Sequence, residues 1–481
     1  MSIGRREFLK ASAWGGAALV MGCGRSGLFQ KQGQIKPNLV FLLADQWRAQ
    51  ATGYSGDPNA KTPNLDKLAQ QSINFTNAVS GCPVCSPYRA SLITGRYPLT
   101  HGVFLNDVTL NNDAVSIAQA YGRAGYQTGY IGKWHLSGYH RSSFIPRERR
   151  QGFQFWKVLE CTHNYNNSYY FGDKNIKLKW DGYDAIAQTH EAQRHIREQA
   201  QMKDKPFIMF LSWGPPHAPY QTAPQKYKDM FKADQIKLRP NVPQAMAAKA
   251  RKDLAGYYAH IKALDDCIGD IVQTLKECNL EKDTILVFTS DHGDMLYSQG
   301  QQKKQRPYDE SIRVPFLLRY PGLLGTQGRK IDMPINSPDI MPTLLGLSGI
   351  KVPRTVEGED FSGVIRGTKK PDNEAALISC ASPFGQWTRS QGGREYRGVR
   401  TRRYTYVRDL NGPWLLFDDQ TDPYQLKNLC DNESYKDIQQ ELEKLLTEKL
   451  RKTKDKFQTG SVYIKKWGYK VDKNGTVPYT N

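Results

Sequence analysis

Cysteine is scarce, with eight in 481 residues. Cys161, Cys267, Cys278, Cys380 and Cys430 show no paired spacing, so no disulfide framework follows from them. No C-x-x-C pair recurs with histidines at ligand spacing, which excludes a finger-type zinc site. Long apolar runs are missing as well. Mean hydropathy is −0.63, and the apolar stretch Ala11 to Met21 is too short and too rich in Gly and Ala to span a bilayer. No G-x-G-x-x-G follows a predicted strand, which argues against a dinucleotide fold, and no internal repeat or low-complexity block stands out. Acidic residues are in deficit, 47 Asp+Glu against 67 Lys+Arg, for a formal charge of +20. That balance favours anionic partners such as acidic polysaccharide, nucleic acid or membrane, and it fits a basic solvated surface equally well. The length suffices for a large core and two structural units.

What is present is a recurring pattern. Asn38 to Ala44 is a continuous apolar run of the kind that forms a buried parallel strand, and it ends at Asp45-Gln46. Gln127 to Ile131 runs into Lys133-Trp134-His135, Pro206 to Leu211 runs towards His217, and Thr284 to Thr289 runs into Ser290-Asp291-His292. Four predicted strands thus deliver ionisable or metal-binding groups just past their C-terminal ends, where open α/β sheets build their sites. The oxygen-rich set Asp45, Gln46 and Asp291, with His292 beside it, suits a hard divalent cation, calcium first among them.

The chain is organised around residues 84–96, Val-Cys-Ser-Pro-Tyr-Arg-Ala-Ser-Leu-Ile-Thr-Gly-Arg. Ser86 suits an N-cap, Pro87 the first helical position and Gly95 the position past the end, so a short helix is predicted with Cys85 at its mouth. Free backbone N–H groups, the positive end of the helix dipole and Arg89 one turn in would receive a small tetrahedral anion beside Cys85. Such a site transfers or hydrolyses an anionic group.

These residues resemble the signature C-x-P-S-R-x-x-x-L-T-G of the formylglycine-dependent sulfatases, a branch of the alkaline phosphatase superfamily. Tyr88 departs from the usual Ser or Ala, and Cys82 lacks the Pro and Arg at matching offsets. The resemblance implies an α/β fold with a large, mostly parallel mixed sheet flanked by helices and a smaller C-terminal antiparallel sheet plus helix. It implies that Cys85 is oxidised by a formylglycine-generating maturation enzyme to formylglycine, whose hydrated aldehyde is the nucleophile. It also implies a metal, taken as calcium, held by Asp45, Gln46, Asp291 and His292 together with the residue derived from Cys85; Gln46 replaces the more usual second Asp. By motif and order, Lys133, His135 and His217 resemble the family's catalytic Lys, His and His, and counting back from Tyr308 selects Lys304 over Lys303 as the last catalytic lysine. The roles implied are charge neutralisation by Arg89, Lys133 and the metal, leaving-group protonation by His217 or Lys304, and proton removal by His135.

The remaining segments are organisational. Paired Arg5-Arg6 before an apolar run matches a twin-arginine export signal, and Val20-Met21-Gly22-Cys23 resembles a lipobox in which Cys23 would carry a lipid anchor. Export to the periplasm or cell surface is therefore expected. Residues 1–35 form signal and tether, 36–365 the catalytic domain and 366–481 a C-terminal α+β subdomain. Helices are predicted over Ser116 to Arg123, Met246 to Cys278 and Ser434 to Lys452, and strands over Tyr396 to Arg400, Tyr404 to Arg408 and Trp414 to Asp418, while Ser337 to Leu345 resembles the helix found late in the family's main domain. Basic residues in 140–150, the aromatic segment 164–170 and the 389–403 stretch are candidate substrate-facing regions. A sulfated glycan is the expected substrate, and nucleic acid is not expected as a partner. A phosphonate or phosphate ester hydrolase on the same scaffold, favoured by Asp45-Gln46-Trp47, and a non-catalytic glycan-binding surface lipoprotein are the alternatives.

Overall fold

A computed structural model describes residues 36–481 apart from 203 and 371–373. The expected export signal and Cys23 lie outside the described residues. The four predicted strands form: β1 (Asn38–Asp45), β2 (Gln127–Lys133), β3 (Phe207–Pro216) and β4 (Thr284–Ser290). They are the middle of a 10-stranded sheet, adjacent in the order β4-β1-β3-β2 and mutually parallel. Outside β4 lie Phe316–Arg319, antiparallel to it, then Ile73–Phe75 and Arg329–Ile331; outside β2 lie Phe155–Leu159, Tyr169–Phe171 and Lys177–Lys179.

All eight residues of β1 are buried because both faces of the sheet are covered. The two-residue strand period sends Leu39, Phe41 and Leu43 into one core and Val40, Leu42 and Ala44 into the other. The first core packs against α1 (Cys85–Thr94) and a later helix, Ser337–Leu347. The second packs against α2 (Asp184–Ala200) and α3 (Ala247–Glu277). The apolar stripe Leu254, Tyr258, Ile261, Leu264, Ile268, Ile271 and Leu275 of α3 is buried in that core. Helix α2 escapes sequence reading because its inward face is mostly small or polar: Ala185, Gln188, Thr189 and Ala192.

Register sets up the site. Leu43 pairs with Ser212, Gly132 with Ser212 and Ala44 with Ser290, so the four strands end at nearly the same level. The groups that follow them share one edge.

The C-terminal sheet has four antiparallel strands, Ala375–Cys380, Tyr396–Thr401, Tyr404–Asp409 and Gly412–Asp418. Its first strand has no clear sequence signal, since it opens on two alanines. The helix Lys436–Lys452 covers one face through Leu442 and Leu446, and a further helix, Gly460–Trp467, follows. The other face meets the catalytic part directly: Ser379 N–H donates to Gly81 O at 2.7 Å and Tyr396 Oη to Gln305 O at 3.0 Å. The arginines at 389, 394, 397 and 403 are ion-paired within the subdomain to Glu395, Asp409, Asp455 and Asp418, while Arg400 pairs with Asp309 of the catalytic part.

Candidate active site

Helix α1 begins at Cys85, two residues earlier than its local sequence predicts. Val84 is the N-cap and offers no side-chain bond, while Ser86 and Pro87 lie inside the first turn. The reason is tertiary: Asn106 Oδ1 accepts from Ser86 N–H at 3.0 Å, supplying from a distant loop the acceptor that a Ser86 cap would otherwise have provided. The other end is as expected, with Gly95 left-handed at φ 66°. The helix is buried throughout, which holds Cys85 and Arg89 firmly at the sheet edge.

Arg89 is the centre of the charge network. Its guanidinium reaches Asp291 Oδ2 at 3.0 Å, Asp45 Oδ2 at 3.2 Å, Ser212 Oγ at 2.7 Å and the Lys133 carbonyl at 3.0 Å. Lys133 Nζ donates to Asp45 Oδ2 at 2.6 Å, and Lys304 Nζ lies 3.0 Å from Cys85 Sγ. His292 Nε2 stands 3.3 Å from the same sulfur. Burial opposes ionisation of the Cys85 thiol, as does Asp45, but Lys133, Lys304 and His292 outweigh them and hold it well below the usual thiol range. Burial likewise works against Asp45, yet Lys133, His217, Lys304 and Arg89 keep it ionised.

Asp45, Cys85, Asp291 and His292 present ligand atoms within 4.8 Å of one another. Gln46, in a left-handed conformation at φ 72°, donates its backbone N–H to Asp291 Oδ1 and its side-chain amide to Asp294 Oδ2 at 2.5 Å. Its Oε1 is buried with no partner. Two carboxylates and an orphaned amide oxygen, with an imidazole beside them, fit a divalent cation that prefers oxygen.

The two other histidines take different settings. His135, left-handed at φ 59°, has its Nε2 3.2 Å from Asp107 Oδ1, while its Nδ1 is buried and unpartnered. Burial opposes its protonation, but Cys161, Asp107 and Cys85 raise it to about 9. His217 Nδ1 lies 2.8 Å from the Ala218 carbonyl, and burial with the Lys304 cation pushes it well below the ordinary histidine value. Its ring stacks on His163 at 4.6 Å, and burial with Lys133 pushes His163 down to about 3. Tyr165 Oη donates to the His217 carbonyl at 2.9 Å, so the aromatic 164–170 segment serves in part to hold His217.

Every residue expected at the site is therefore at this edge. Lys303 instead reaches Tyr220 Oη at 3.2 Å. Sequence reasoning missed Asp107, His163, Ser212 and Asp294. Asp294 lies three residues past Asp291 at the same strand end, so a signal existed; Asp107 sits in a loop without one.

Comparison with known proteins agrees with this geometry. The sulfatase family model matches residues 37–350, and the N-sulphoglucosamine sulphohydrolase C-terminal model matches 299–453. The chain is 45% identical over 460 residues to an ulvan-active sulfatase of Formosa agariphila, covering 94% of this chain and 88% of that protein. It is 30% identical over 492 residues to an endo-4-O-sulfatase of Bacteroides thetaiotaomicron, covering 89% and 94%. The crystal structure of the Bacteroides fragilis sulfatase YidJ superposes with a TM-score of 0.80 at 31% identity, covering 91% of this chain and 100% of that one. A cation-lined cysteine at the mouth of α1, a buried cluster of Asp, Cys and His ligand groups at the strand ends and these relationships make the chain a member of the sulfatase family and a sulfuric ester hydrolase.

Proposed function

We propose that this protein is an exported, calcium-dependent sulfatase that removes sulfate esters from a sulfated polysaccharide, with Cys85 converted to formylglycine. The observation that carries the reading is the convergence of Arg89, Lys133, Lys304 and His292 around Cys85 beside two buried carboxylates. The names of the relatives, ulvan-active and endo-4-O-sulfatase, support a polysaccharide substrate. Calcium suits the oxygen donors of Asp45, Asp291 and Gln46, and when bound it would neutralise charge on the sulfate oxygens. Formylglycine, formed from Cys85, would supply a hydrated aldehyde as the nucleophile.

The chain's own residues then divide the work. Arg89 and Lys133, fixed by Asp45 and Asp291, hold positive charge where sulfate oxygens arrive. Lys304 Nζ, within hydrogen-bond reach of the Cys85 sulfur, donates a proton on the leaving side, whereas the neutral ring of His217 gives its Nδ1–H to the Ala218 carbonyl and leaves Nε2 as an acceptor. His135 gives its Nε2–H to Asp107 and keeps Nδ1 unpartnered, the nitrogen through which it exchanges a proton when sulfate is expelled. The paired arginines at residues 5 and 6 support twin-arginine export, and Cys23 supports a lipid anchor.

The test uses protein whose Cys85 conversion has been measured by peptide mass. Sulfate release from ulvan or glycosaminoglycan fragments should vanish in Cys85→Ala and after chelation, and return on adding calcium. Converted protein that leaves all sulfate esters intact while hydrolysing phosphonate or phosphate esters would overturn the reading.

A further inference from the structure

The matched family models end at residue 453, yet the chain continues through 28 more described residues, 454–481, that turn back onto the active-site loops. The helix Gly460–Trp467 begins this return. A Cβ at Gly102, which is left-handed at φ 83°, would press into the Trp467 ring. Tyr469 Oη donates to the Gly102 carbonyl at 2.9 Å, and Phe104 packs 5.5 Å from Tyr469 and 6.1 Å from Tyr463. The loop so braced ends in Asn106, which holds Ser86 N–H, and Asp107, which holds His135.

The last residues grip the site from its other side. Thr480 forms a parallel bridge with His140: Arg141 N–H donates to Thr480 O at 2.9 Å and Thr480 N–H to Tyr139 O at 3.0 Å. The Arg141 guanidinium lies 3.3 Å from the centroid of the Tyr479 ring. Through its Nε/Nη2 edge that guanidinium takes Asp107 in a fork, Nε to Oδ1 at 2.7 Å and Nη2 to Oδ2 at 2.6 Å. Asp107 Oδ1 is the atom that faces His135 Nε2.

We infer that residues 479–480 are positioning residues for sulfate-ester hydrolysis. Tyr479 and the Thr480 bridge clamp Arg141 on Asp107, and Asp107 sets the ring of His135 through Nε2, leaving Nδ1 without a partner. A guanidinium stacked on an aromatic face and forked onto a carboxylate has little freedom left, so the chain Tyr479–Arg141–Asp107–His135 transmits position rather than charge. Asp107 is itself left-handed at φ 63°, a conformation held by what surrounds it. The inference rests on His135 acting in the sulfatase reaction, and its structural half can be read without activity.

The experiment compares Tyr479→Ala, Tyr479→Phe and Thr480→Pro, which removes the N–H given to Tyr139, in full-length protein with matched Cys85 conversion. With a small aryl sulfate, Tyr479→Ala and Thr480→Pro should lose about tenfold in kcat with KM changed less than about twofold, the signature of a misplaced group. Tyr479→Phe keeps the ring and should match the wild type. Hydrogen exchange, measured also on unconverted protein, should rise in residues 137–141 in the two disruptive variants while the thermal midpoint stays near the wild type. Unchanged kcat in Tyr479→Ala, a loss confined to KM, a Phe variant as poor as Ala, or unchanged exchange in 137–141 would each overturn the inference. Absent activity in every protein, wild type included, with raised exchange in 137–141, would instead count against His135 chemistry and leave the clamp standing.

Discussion

Cys85 Sγ is touched by one of two adjacent lysines, and the difference between them is a matter of ångströms. Lys304 is at 3.0 Å, while Lys303 is spent on Tyr220. Lys304→Ala should cost about 10²–10³ in kcat, the scale of losing a charge-stabilising donor, while Lys303→Ala should stay within about threefold; equal losses would reverse the assignment. Gln46 poses a second residue-scale question, because an amide can face a cation with either end. Asp294 decides it by taking the NH2, which leaves Oε1 free. Asp294→Asn allows the amide to turn, and calcium affinity measured by calorimetry should fall about 10–100-fold, as outer-shell changes do. An unchanged affinity would show that Gln46 does not depend on Asp294. Motif spacing made Lys304 legible in the sequence, whereas the amide's orientation was not, because it depends on a contact across 248 positions.

Among elements, the strands were the most legible, since β1 to β4 are apolar runs that both cores bury. Helix α2 was not, and it carries the least ordinary carboxylate outside the site. Burial raises Asp184 at its first turn to about 8, only partly offset by Ser168 and the Ala185 N–H. The folded value therefore lies above the unfolded one, so the contribution of Asp184 to stability is full below about pH 4, the unfolded carboxylate range, and is lost as pH rises through 8. The unfolding midpoint should accordingly drop between pH 6 and pH 9 by more in the wild type than in Asp184→Asn. Parallel melting curves for the two proteins would contradict this. Helix α1 shows the limit of local reading in the other direction: Ser86 and Pro87 have cap-like chemistry, but Asn106 moved the start to Cys85.

For the molecule as a whole, the charge of +20 should matter more for a long polyanion than for a small ester. KM for a polymeric sulfated glycan should rise several-fold between about 0.05 and 0.5 M salt, where the screening length shrinks from beyond 10 Å to a few, while KM for an aryl sulfate changes less than about twofold. Equal salt dependence would place the relevant charge inside the site rather than over the surface. The two sheets divide labour at this scale, the larger carrying Asp45, Lys133 and Asp291 and the smaller bracing the Lys304 loop through Tyr396. By itself the sequence determined the buried strands, the groups at their ends and the motif around Cys85, because apolar runs, helix punctuation and short-range spacing are local properties. Only the tertiary structure decided where α1 starts, which way Gln46 faces, that Asp107 belongs beside His135, and that the 479–480 segment packs on Arg141. Those depend on hydrogen bonds and ring contacts between segments tens to hundreds of residues apart, where no local pattern is laid down.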